Sequence, residues 1–319
     1  MKTIKTTIAI LFISIFTFSC SKDDSNKAVL DMNVEDITIT TIKVTTPVAP
    51  KLGYTGFTSS SWFQLVGNDI LYTCASNLGV TNPQFMLKYN LNSNSFQTVT
   101  SNDITCACGF SNNFITDNTN AFMIASNARK YIVANDTWSD INYPAAIKNN
   151  IGEVGMAYAN GKIYACGGRT KTKRFISYNI SLNTWSNEKD YIEEISASEM
   201  VVVQNKIYLL GGNANNKNFS CFDIALNTWT AKADLTFDWS YSVRDNVVTN
   251  VKNRYIFALN NKKVYIYDIV NDKWKKDPIT LSVIGKAINL FGYNDTTLLV
   301  TSVSDTGDFT LYKLTLNLL

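Results

Sequence analysis

The sequence predicts an all-β fold: a six-bladed β-propeller whose last blade is completed by a strand from near the N-terminus. Three observations carry this reading. One short phrase recurs six times at a nearly constant interval, each copy reads as strand, turn and strand, and the last copy stops one strand short.

The recurrence is visible in residues 177–187, SYNISLNTWSN, and 220–230, SCFDIALNTWT. Aligned on the tryptophan, an aromatic stands seven positions back, an aliphatic five back and an Asn or Asp two back. These slots hold Tyr178, Ile180, Asn183 and Trp185, then Phe222, Ile224, Asn227 and Trp229. They recur as Tyr89, Leu91, Asn94 and Phe96; as Tyr131, Val133, Asp136 and Trp138; and as Tyr267, Ile269, Asp272 and Trp274. A sixth set, Tyr312, Leu314, Asn317 and Leu319, ends on the last residue. The anchors are 42, 47, 44, 45 and 45 residues apart, a period that marks a repeat architecture. Repeats are expected at about 53–100, 101–144, 145–190, 191–235, 236–280 and 281–319.

Within a copy, the slots seven and five back are two apart and so share one face of a strand. The Asn or Asp supplies turn chemistry, because these short polar side chains tolerate left-handed backbone and bond to it locally. The phrase is therefore a hairpin. Upstream lie an apolar run and its own turn, as in Gly161–Gly168 (GKIYACGG) and Asn205–Gly212 (NKIYLLGG). Each unit is thus four short strands with no helical period between them, and six such units surround a central axis. The sixth unit lacks its outermost strand, and Asp36–Val44 (DITITTIKV) is an unassigned β-branched stretch that can supply it. That pairing removes an exposed sheet edge and ties the ring shut.

The double glycines Gly167-Gly168 and Gly211-Gly212, with an aromatic ten residues later and a tryptophan seven after that, resemble the kelch repeat. The resemblance covers about residues 53–319 through its spacing, although only two of the six units keep the double glycine. It implies a kelch-type six-bladed propeller in residues 36–319. Residues 1–19 read as a signal peptide: Lys2 and Lys5 precede an apolar stretch from Thr7 to Phe18 that is too short to span a bilayer. Ser19-Cys20 at its end resembles a bacterial lipoprotein signal, which implies lipidation at Cys20, a flexible tether over 20–35 and an outer-membrane anchor. The alternative is a cleaved signal with an incidental cysteine. The acidic pair Asp23-Asp24 resembles a surface-export signal of some Gram-negative bacteria.

Removing Lys2 and Lys5 leaves 27 basic against 26 acidic residues, so no basic footprint calls for nucleic acid. The chain has no histidine, which excludes Ser-His-Asp and Cys-His catalysis and removes the commonest zinc and copper ligand. The copper oxidases that share a kelch-like propeller rely on histidine ligands, so this chain cannot work as they do. No phosphate loop, dinucleotide motif or EF-hand loop is present, and no cofactor is expected. Beyond Cys20 there are Cys74, Cys106, Cys108, Cys166 and Cys221. A bridge from Cys74 to Cys106 or Cys108 and a set of small buried hydrophobes are both open readings.

Function is expected on the loops between blades and between second and third strands, which share one face. These carry Arg129-Lys130, Arg169–Arg174, Glu188–Glu194 and Phe237–Tyr241, followed by Arg244. In one reading this face binds a glycan or protein: Trp239 and Tyr241 offer flat apolar area while Arg169, Arg174 and Arg244 pair with an acidic group. The arginine loop also reads as an ordinary solvated loop. In the other, the kelch resemblance implies a metal-independent sialic acid mutarotase. Glu199 with Arg174 or Arg244 would then transfer protons and orient the carboxylate.

Overall fold

In the computed structural model, described over residues 33–48, 62–73, 84–101, 114–124, 128–148, 151–213, 216–239, 246–304 and 308–317, the strands form six antiparallel sheets. After a 3-10 turn at Val34–Asp36 comes β1 (Thr38–Val44). Blade one is β2 (Trp62–Val66), β3 (Asp69–Thr73), β4 (Gln84–Asn90) and β5 (Ser95–Ser101). Blade two is β6 (Phe114–Thr116), β7 (Asn120–Ile124), β8 (Ala128–Ile132) and β9 (Thr137–Asp140), followed by a one-turn helix at Ala145–Lys148. Blade three is β10 (Val154–Ala159), β11 (Lys162–Gly167), β12 (Phe175–Asn179) and β13 (Thr184–Asn187). Blade four is β14 (Ser198–Val203), β15 (Lys206–Gly211), β16 (Phe219–Asp223) and β17 (Thr228–Ala231).

Blade five is β18 (Asn246–Val251), β19 (Tyr255–Asn260), β20 (Lys263–Asp268) and a two-residue β21 (Lys273–Trp274). A further short strand, β22 (Ile279–Thr280), pairs with β20 beyond β21. Pro278, which has no N–H to give a ladder, stands just before it. Blade six is β23 (Lys286–Asn294), β24 (Thr297–Val303) and β25 (Phe309–Asn317), with β1 as its outermost strand. The β1–β25 register runs unbroken from Thr38 opposite Asn317 to Val44 opposite Leu311. The expected closure therefore exists. Val34, within the segment expected as a tether, is buried against blades five and six.

The repeated phrase explains itself in this frame. In blades one to five the aromatic seven back lies directly across from the anchor, as in Tyr178 opposite Trp185 and Phe222 opposite Trp229. The turn residues Asn94, Asp136, Asn183, Asn227 and Asp272 all have φ between 48° and 54°, the left-handed region that Asn and Asp tolerate best. Where the aromatic is tyrosine, its hydroxyl donates to that turn residue: Tyr89 to Asn94 at 2.7 Å, Tyr178 to Asn183 at 2.8 Å, and likewise Tyr131 to Asp136 and Tyr267 to Asp272. A large ring is thereby buried without orphaning its hydroxyl.

The anchor tryptophans act differently. Trp185 and Trp229 are half-buried lids whose indole N–H reaches back one blade, to the Asn142 carbonyl at 2.7 Å and the Lys189 carbonyl at 2.9 Å. Trp274 does the same to Ala233 at 3.3 Å. Apolar residues between blades form six clusters, one for each neighbouring pair. The cluster holding Phe63, Ile70, Phe291 and Leu299 joins blade six to blade one and completes the circle. β25 runs straight through the position where the other blades turn, and Asn317 donates instead to the Thr38 and Thr40 hydroxyls.

Candidate functional site

Two regions were candidates from their placement in the ring: the loop face and the central channel. On the loop face the glycine pairs decide the packing. Gly167, Gly211 and Gly212 have φ of 82°, 67° and 107°, and a Cβ on any of them would overlap a neighbour. At Gly167 and Gly212 the neighbour is Ile195 of the loop between blades three and four. At Gly211 it is the ring of Trp239. The glycines are seats into which the inter-blade loops drop.

Trp239 is consequently placed differently from the sequence expectation. It is 3 % exposed, lies over Gly211 and donates its indole N–H to the Ala197 carbonyl at 3.1 Å. Phe237 beside it is stacked on Tyr265 at 3.9 Å between ring centroids. Trp239 therefore offers no flat face to a ligand, because a glycine in the preceding blade gives it a slot. Tyr241 and Arg244 lie outside the described residues, as do Cys20, Cys74, Cys106 and Cys108. Cys166 and Cys221 are buried free thiols, and burial pushes both upward in pKa.

The arginines have protein partners. Arg169 Nε lies 3.4 Å from Oε1 of Glu153, a carboxylate only 4 % exposed, whose own carbonyl accepts from the Ala197 amide at 2.8 Å. Arg174 donates to the Ala146 carbonyl at 3.1 Å and sits near Tyr143. Burial lowers the Arg174 pKa and raises that of Tyr143. Arg129 and Lys130 are in β8 rather than in a loop, Arg129 pairing with Asp140 at 3.1 Å and facing the Trp138 ring.

The central channel holds a cavity of about 500 Å³. Its walls are the inner strands β2, β6, β10, β14, β18 and β23, and register orders its lining into layers. Deepest are Glu199 and Asn289, which hold equivalent rungs of blades four and six, four pairs from the inner turn. Gln64 and Thr249 come next, then Tyr158 and Asn250, and the mouth carries Asn118, Asn160 and Asn205 on the turns between first and second strands. That mouth is on the face opposite the arginine loop. Neither Arg169 nor Arg174 lines the cavity, so the described structure does not bring either to Glu199.

The channel amides also stitch blades together. Gln64 donates to the Phe114 carbonyl at 2.7 Å, Asn250 to the Val202 carbonyl at 2.9 Å, and Asn160 to Asn205. Thr249 accepts from the Gly292 amide at 2.8 Å. Each side-chain amide spends only part of its bonding capacity this way. Sequence reasoning passed over these residues, whose one signal is a polar residue inside an otherwise apolar inner strand, as at Gln64, Asn250 and Asn289. Among the described residues no group of three His, Cys, Asp or Glu side chains could hold a metal ion. No protein-family model matches the chain, and a search of curated proteins finds no match.

Proposed function

We propose that the chain is a kelch-type propeller, lipid-anchored at Cys20 to the outer membrane and exposed at the cell surface, that works as a binding module for a glycan or protein ligand. The channel cavity carries this reading. Its volume of about 500 Å³ falls in the range of small-ligand sites, and its walls mix apolar surface with a few polar groups. The kelch-type assignment is supported by the role of the double glycines, which admit Ile195 and Trp239. The anchor rests on Lys2, Lys5, the apolar stretch to Phe18 and Ser19-Cys20.

A second reading, a metal-independent mutarotase of acidic sugars, is favoured by one observation: Glu199, a carboxylate, lines the cavity. The partners of Arg169 and Arg174 elsewhere weigh against it. Binding of the purified chain to an arrayed glycan set, with surface cross-linking for protein partners, tests the first reading. Silence in both would overturn it.

A further inference from the structure

We infer that the outer turns of blades three, four and five rest on a lipid surface, with one aliphatic side chain from each entering the headgroup region. The inference rests on the reading that Cys20 anchors the chain to a membrane and adds to it the face that meets the bilayer.

The backbone defines that face. In blades one, three and five the amide just past the third strand donates to the turn between the first and second strands: Leu91 to the Asn68 carbonyl at 2.8 Å, Ile180 to Gly161 at 3.0 Å and Ile269 to Arg254 at 3.1 Å. Both kinds of turn therefore share one face, opposite the loops that carry Arg169 and Ile195. The chain enters the propeller there as well. Thr38, the first residue of β1, pairs with Asn317, and the Leu316 amide donates to the Thr296 carbonyl in the β23–β24 turn at 2.8 Å. The chain from Cys20 to Val34 spans at most about 50 Å, which keeps an anchored bilayer within reach of this face.

The side chains name the partner. On the turns between third and fourth strands, Leu182, Leu226 and Val270 are 68, 70 and 51 % exposed. Turn geometry does not demand them, since blade one has Asn92 and Ser93 at the corresponding slots and blade two has Ala134 and Asn135. One tip on each of three neighbouring blades makes separate points rather than a continuous patch. A protein partner needs a contiguous apolar core, whereas a bilayer takes in spaced side chains singly. The carboxylates of the same turns are matched by cations: Asp223 by Lys206 at 3.3 Å, Asp268 by Arg254 at 2.8 Å and Asp272 by Lys232 at 3.4 Å. The loop face also exposes Ile192 and Ile284, but Ile192 stands beside Asp190, Glu193 and Glu194, which anionic headgroups repel. Three adjacent blades are half of the ring, so this contact tilts the propeller and leaves blades one and two clear of lipid.

The test uses the acylated full chain in vesicles of phosphatidylcholine and phosphatidylglycerol, with and without bromine near the headgroup end of the acyl chains. Bromine quenches a tryptophan that reaches it. Flotation with the vesicles is read first. Leu182→Trp, Leu226→Trp and Val270→Trp are each expected to add emission of which about half or more is quenched. Ile192→Trp and Ile284→Trp are expected to add emission that bromine leaves unchanged. Should one turn variant fail to melt cooperatively, the other two decide.

The inference is overturned if quenching is equal on the two faces, confined to the loop face or absent from both. It also falls if the turn variants show no quenching but alter the elution volume, which would make the face a seat for protein. Flotation without quenching at the turns removes this inference and leaves the anchor standing. A chain that does not float removes the anchor, and this inference with it.

Discussion

Both carboxylate oxygens of Glu35 lie 3.1 Å from the backbone amide of Lys276, a residue 241 positions later in the chain. Lys273 and Lys275 bring their ammonium groups to 3.4 and 3.8 Å of the same carboxylate. Val34 and Ile37, on either side of this contact, are buried in the cluster between blades five and six. The N-terminal segment thus does two things: β1 completes blade six, and the turn before it clips onto the irregular outer edge of blade five.

Glu35→Ala should lower stability by about 1 kcal/mol, since the bonds to it are charge-assisted but partly exposed. Deleting residues 33–44 should do far more, because it bares the β25 edge and opens the cluster beneath Val34 and Ile37. Urea midpoints test the first change. A shift to aggregates in size-exclusion chromatography tests the second, and an unchanged elution volume would refute the clasp.

The Tyr–Asn couple of the repeat separates two effects. Tyr178→Phe removes one hydroxyl bond and should cost about 1 kcal/mol. Asn183→Ala should cost more, roughly 2 kcal/mol, since it loses that bond, the bond from the Asn142 amide and the tolerance for left-handed backbone. Blade four already carries Phe222 in the tyrosine slot, and Asn227 there still accepts from the Lys189 amide at 3.2 Å.

Gly211→Ala should destabilise by roughly 3 kcal/mol or more, because a methyl there overlaps the Trp239 ring and the backbone is left-handed. In a double-mutant cycle, Trp239→Ala should make the same glycine change cheaper by about 1 kcal/mol or more. Strict additivity would show that the ring does not sit on the glycine.

The pH profile of stability should fall at both ends. For Asp268, burial works against ionisation, but hydrogen bonds from Arg254, the Val270 amide and Asn271 hold its pKa below the ordinary carboxylate value. A folded pKa below the unfolded one means stability present above about pH 4 and lost as pH falls through the folded value. Tyr164 and Tyr191 are pushed up to about 12, chiefly by burial. Their contribution is complete below about pH 10 and lost as pH rises through the folded values. With no histidine in the chain, no imidazole titrates in between. Denaturant midpoints across pH 3 to 12 check the shape. For the tyrosines, absorbance titration should show a group that ionises later in the folded chain than in urea.

For the enzymatic alternative, anomer-exchange NMR on N-acetylneuraminate should give the buffer rate with and without the protein. Acceleration that disappears in Glu199→Gln would reverse the order of the two readings.

The sequence by itself determined the repeat, the blade number, the turn at each Asn or Asp and the strand that closes the ring. These rest on local chemistry repeated in phase: a period of two along each strand, left-handed tolerance at one slot, and a last copy left short. Only the tertiary structure decided what the unrepeated residues do. Trp239 reads as an exposed aromatic in its own loop and is buried because Gly211, in another blade, lacks a Cβ. Arg174 is directed to Ala146, across a blade junction, and the channel amides gather only when six inner strands converge on one axis. Side-chain accessibility is a property of neighbours distant in sequence, and no local pattern encodes it.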